Sequence, residues 1–89
     1  MTRAQITIAW QRGLHLRRAA ELVHLAQRFS SRISVQVGSR MADAKSVLSL
    51  MLLSAGLGTA LTIEVMGADE AEALRAVQQF FRDLHLGES

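Results

Sequence analysis

The 89 residues include no cysteine, which excludes disulfides and thiolate metal sites. Proline is also absent, so no helix start is preset by a pyrrolidine ring. Aromatic residues make up 4%, and among the expected strands only Trp10 is aromatic. Base-stacking platforms need more than that, which argues against a small basic nucleic-acid-binding domain. The longest unbroken apolar run is Leu50-Met51-Leu52-Leu53, far short of the roughly 20 residues of a membrane span. Residues 1–12 are too short and too interrupted to supply the apolar region of a signal peptide. A cytoplasmic protein with no direct membrane insertion is expected.

What is present is enough for one core. Hydrophobic residues make up 49%, too many for a disordered tail, and the length sets a ceiling of one compact domain over residues 1–89. The net charge is only +2, but its distribution is uneven. Arginines gather in residues 12–40 and acids in residues 64–83, so the basic half suits an acidic partner.

Hydropathy periodicity lays out seven elements. Residues 5–10 alternate, with Ile6 and Ile8 inward, and read as a strand. A helix is expected over 16–28, its core face formed by Ala19, Leu22, Val23, Ala26 and Phe29. Glu21 lies four residues from Arg17 on the wet face, the spacing of a weak ion pair. Residues 32–37 form a second strand, with Ile33, Val35 and Val37 inward. Gly38-Ser39 then makes a two-residue turn into a short strand over 40–43. Ser46 caps a short helix that is apolar nearly all round. In it, Leu50 and Leu53 are expected to point inward, and Val47, Leu48 and Met51 outward. Residues 60–66 alternate most cleanly, with Leu61, Ile63 and Val65 on one face. Asp69 is expected to cap a last helix over 70–86, buried through Leu74, Val77, Phe81 and Leu84 and stopped by Gly87. The order β-α-β-β-α-β-α implies an α+β fold, an antiparallel four-stranded sheet with three helices on one face.

The chemistry concentrates in Gly13-Leu14-His15-Leu16-Arg17-Arg18-Ala19. A glycine permits a turn, a histidine follows, and a helix begins among arginines. Backbone N–H groups at a helix start favour an anion, as do Arg17 and Arg18. The stretch is suited to holding a phosphate beside an imidazole. His24 and His85 sit on helix faces with no partner at ligand spacing, so no metal site is expected. One histidine and some arginines provide no second acid or base, so a stand-alone enzyme is not expected either.

This stretch resembles the active loop of HPr, the histidine-containing phosphocarrier of the bacterial phosphotransferase system, whose pattern is Gly-Leu/Ile-His-x-Arg-Pro-Ala. Gly13, Leu14, His15, Arg17 and Ala19 match; Arg18 stands where the family has proline. Lys45-Ser46-Val47-Leu48 resembles a second family segment, and the likeness runs from about Gln5 to Phe81. The resemblance implies the open-faced sandwich fold and phosphorylation of His15, with Arg17 stabilising the phosphoryl group. Arg18 is a second candidate for that contact; alternatively it alters a partner contact or marks a diverged paralogue. By the same resemblance, phospho-Enzyme I is the donor and a IIA component the acceptor, both transient partners of a monomer that needs no cofactor. The partner surface would combine Leu16, Ala20 and His24 with Val47, Leu48 and Met51. The resemblance also allows a regulatory kinase to act at Ser46. A regulator of the nitrogen-related branch is the alternative within the family.

Overall fold

The computed structural model describes residues 1–83. Its elements follow in the order β1 (Thr2–Thr7), α1 (Leu16–Ala26), β2 (Arg32–Val37), β3 (Arg40–Asp43), α2 (Val47–Met51), β4 (Ala60–Met66) and α3 (Glu70–Asp83). The strands form one sheet in the order β1-β4-β2-β3, antiparallel throughout. The helices cover one face, so this is the open-faced α+β sandwich. Leu84, His85 and Gly87 lie outside the described residues.

β4 is flanked on both sides, so its alternation is the strictest. Leu61, Ile63 and Val65 are fully buried under the helices, and Ile33 and Val35 of β2 lie beside them in register. Ala19, Leu22 and Ala26 of α1 and Ala73 and Val77 of α3 close the core from above. The open face is mostly polar, with Met41 and Met66 exposed among its polar residues. Arg3 and Glu64 are register partners on β1 and β4, and their side chains pair across the ladder at 2.7 Å. Such an exposed pair contributes about 1 kcal/mol at most. At the β2–β3 hairpin, Val37 opposes Arg40 across a two-residue turn, with Gly38 at φ +59°.

Three expectations need correction. The first strand runs over 2–7, not 5–10. Thr7 pairs with Ala60, the first residue of β4, so the ladder has no strand left for Ile8 to join. Ile8 instead exchanges hydrogen bonds with the connection from α2 to β4, donating to the Thr59 carbonyl and accepting from the Gly58 amide, and Trp10 is buried beyond the strand. The second correction concerns α2. Ser46 does cap it, its hydroxyl accepting from the Ser49 amide at 3.2 Å. Of the residues expected outward, however, only Leu48 is fully exposed, whereas Val47 and Met51 are half-buried and pack against the core. Helical spacing explains this: Val47, Leu50 and Met51 stand at i, i+3 and i+4 on one face, and Leu48 with Leu52 on the other.

The third correction concerns Asp69. Its carbonyl accepts the Ala73 amide and so begins α3, but its carboxylate reaches back to the turn before β2. There it accepts from the amides of Ser30 and Ser31, each at 2.9 Å, and from the Ser31 hydroxyl. The Ser31 hydroxyl, followed by the Ser30 amide, holds the Asp69 carboxyl down at about 2, from an ordinary 3.8. A depressed folded pKa means the contribution is complete above pH 3.8 and is lost as pH falls through about 2. Acid unfolding of the wild type against Asp69→Asn should therefore show a stability gap at neutral pH. That gap should close across the same acidic interval; a gap unchanged by pH would contradict this role.

Candidate functional site

The loop between β1 and α1 is shaped by one close approach. Gly13 adopts φ +66°, and its amide donates to the Trp10 carbonyl at 2.9 Å, closing a tight turn. A Cβ on Gly13 would lie 2.4 Å from the Ala55 carbonyl oxygen and 2.6 Å from Gly56 Cα. The same Ala55 oxygen accepts the Leu14 amide at 2.8 Å, and the Leu14 side chain is buried. The loop is thus seated on the connection between α2 and β4.

His15 is the N-cap residue of α1, with φ −82° and ψ 176°. Its carbonyl accepts the Ala19 amide at 2.9 Å, but its side chain makes no capping hydrogen bond. The ring is half-buried. Nε2 is enclosed without a hydrogen-bond partner, which leaves Nδ1 as the ring nitrogen open to an incoming group. The first-turn N–H groups of a helix have no acceptor within it and carry the positive end of the dipole. No acidic residue occupies that first turn. An N-terminus so loaded with cations is unfavourable on its own, by about 0.3–1 kcal/mol per charge, and is relieved by an anion.

The two arginines part company. Arg17 is exposed on the first turn. Arg18, one residue on, is only 3% exposed. Its guanidinium carbon lies 5.5 Å from the centroid of the Trp10 ring, and Nη1 meets Glu21 Oε1 at 2.8 Å. Glu21 therefore takes Arg18, three residues away, as its ion-pair partner; Arg17 was the expected one. Trp10 in turn stacks on Phe81, with centroids 5.1 Å apart, and meets Phe80 edge-on at 5.6 Å.

Around the loop the surface is apolar. Leu16 is 62% exposed on α1, where Ala20 and His24 are exposed too, and Leu48 is 70% exposed on α2, which packs against α1. Leu52 and Leu57, on the connection that seats the loop, are exposed apolar residues that were not among those expected. Leu52 stands in an apolar run and Leu57 between two glycines, so local sequence gave no sign of their direction. Ser46 is half-buried at its cap. No cluster of three or more His, Cys, Asp or Glu positioned to hold a metal occurs among the described residues. No helix among them is long and apolar enough to cross a membrane.

A model of the PTS HPr component phosphorylation site matches residues 2–83. The chain belongs to the HPr family. It is 40% identical over 77 residues to phosphocarrier protein HPr of Cupriavidus necator, covering 86% of each chain. It is also 40% identical over 73 residues to phosphocarrier protein NPr of Shewanella violacea, covering 82% of this chain and 80% of that one. Among solved structures, HPr-C-His of Thermoanaerobacter tengcongensis superposes with a TM-score of 0.91 at 34% identity. The two match over 100% of this chain and 99% of the other.

Proposed function

We propose that His15 accepts a phosphoryl group from phospho-Enzyme I and passes it to a IIA-type component of a sugar phosphotransferase system. The observation that carries this reading is an N-cap imidazole relieved of capping, with Nδ1 open at a cationic helix start. The neutral ring offers the Nδ1 lone pair to phosphorus. The N–P bond to His15 forms as the donor's own bond to phosphorus breaks, and that electron pair returns to the donor. The Arg17 guanidinium and the first-turn N–H groups of Leu16 and Arg17 hold the phosphoryl oxygens. An acceptor nucleophile then reverses the step.

The chain works as a stoichiometric carrier, one domain over residues 1–89, monomeric and cytoplasmic. Leu16, Ala20, His24 and Leu48, edged by Val47 and Met51, form the transient docking face. Arginine charge at its rim speeds encounter with acidic partners. A kinase acting at Ser46 would place a second phosphoryl group at the start of α2, inside that face. Arg18, buried on Trp10, is less suited than Arg17 to the phosphate contact.

The test is intact-protein mass after incubation with Enzyme I and phosphoenolpyruvate. An acid-labile gain of one phosphoryl group is expected, and none in His15→Ala. No gain while a control HPr is labelled in the same tube would overturn the carrier reading. The likeness to the Shewanella violacea NPr supports a second reading, a regulator whose output is its phosphorylation state. Running the Enzyme I homologues of the sugar and nitrogen branches side by side separates the two by rate.

A further inference from the structure

Arg18 is a charged side chain buried at a position where burial is costly. A cation inside a protein needs compensation, and two groups among the described residues contribute to it. One is the Glu21 carboxylate at 2.8 Å, itself 45% exposed; the other is the face of the Trp10 indole. Trp10 is fixed from its other contacts by Phe81 and Phe80 of α3. Its backbone carbonyl accepts the Gly13 amide, and the next residue, Leu14, is tied to Ala55. A continuous physical path thus runs from Arg18 through Trp10 to the turn that presents His15.

We propose that Arg18 is a positioning residue: it clamps the first turn of α1 onto Trp10 and so fixes the His15 loop. It does not contact the phosphoryl group. Proline at this place would restrain the helix start through its own ring. Here the restraint is made by a guanidinium held over the Trp10 ring, between α1 and the segment after β1. The first intrahelical hydrogen bond is donated by Ala19, one residue later, so neither residue at position 18 costs the helix a bond. Arginine suits the task better than lysine, because its planar group stacks on an indole while keeping an ion pair in plane. The exposed carboxylate is the inexpensive half of the pair: losing Arg18 leaves Glu21 in water, whereas losing Glu21 takes a charged partner from a buried cation.

The inference rests on the phosphocarrier reading only for what the loop is for. Its test therefore has a readout independent of phosphotransfer. In the full chain, Arg18→Met keeps an apolar stem over Trp10 and removes the fork. Amide exchange of Gly13, Leu14, His15 and Ala19, each of which donates a hydrogen bond within or beside the loop, should accelerate at least tenfold, while β4 and the middle of α3 change less than threefold. The emission of Trp10, the sole tryptophan, should shift in the same variant. Phosphorylation of His15 should slow about fivefold with the donor's KM little changed, and Arg18→Lys should restore less than half of the loss. Glu21→Gln, which leaves the cation in place, should also accelerate loop exchange. A uniform rise in exchange across all elements would reduce Arg18 to a general stabiliser and overturn the proposal. Slower phosphorylation with unchanged loop exchange would make it a phosphate contact and overturn it equally. If no donor labels the wild type, the carrier reading fails while the exchange pattern still decides the clamp.

Discussion

Alanine at position 13 is expected to lower the melting temperature by roughly 12–24 °C, from about 3 kcal/mol of lost stability at ~4–8 °C per kcal/mol. Two terms combine. A left-handed φ of +66° costs a residue with a Cβ about 1–2 kcal/mol. The new Cβ must also displace the Ala55 carbonyl, which would otherwise lie 2.4 Å away, and overpacking of this kind costs ~1–3 kcal/mol. That oxygen holds the Leu14 amide, so the strain falls on the residue beside His15. Phosphorylation of Gly13→Ala should fall more than stability alone accounts for, because the loop shifts even in molecules that remain folded. Thermal unfolding followed by circular dichroism, with labelling measured well below the transition, checks both parts. A melting temperature within a few degrees of wild type would show that the two segments part easily. The close seating of the loop would then carry no energy.

Leu50→Ala should cost about 3 kcal/mol, within the ~2–5 kcal/mol range for deleting a buried leucine side chain. Its consequences should concentrate on α2. That helix has five residues, far fewer than the roughly 12–15 needed for an isolated helix to persist, so it exists because it is anchored. Leu50 is its one fully buried residue, with Val47 and Met51 as partial supports. Without it, Ser46 and Leu48 lose their fixed place beside α1, and both the cap and the proposed docking face go with them. Urea titration should show a lower midpoint, and amide exchange should show α2 opening before β4. If α2 stayed protected while the whole chain lost stability evenly, the helix would be held by more than this anchor.

Much of this was legible in the sequence because the physics was local. Strict alternation over residues 60–66 marked the central strand, and burial of Leu61, Ile63 and Val65 followed from it. The hydroxyl of Ser46 caps from within its own turn, which spacing reveals directly. Gly13, Leu14 and His15 stood adjacent in a recognisable order. What was not legible depended on contacts between distant segments. Arg18 lies on α1 and Trp10 in the segment beyond β1, and no pattern within the helix tells an arginine to leave the wet face for an indole. Asp69 occupies a capping position, yet its carboxylate finds better donors 38 and 39 residues earlier, at Ser31 and Ser30. The face of α2 was misread for a different reason: in a helix so rich in leucine, composition gives no contrast, and only angular spacing separates Val47 from Leu48.

The seating of Gly13 and Leu14 on Ala55 also has a bearing on synthesis. A chain emerging from the ribosome displays the whole Gly13–Ala19 motif long before Ala55 has been added, and Phe81, the stacking partner of Trp10, comes later still. Until then the histidine belongs to a segment with no seat. Nascent and truncated chains should consequently draw no phosphate from the cellular pool, however many of them are present.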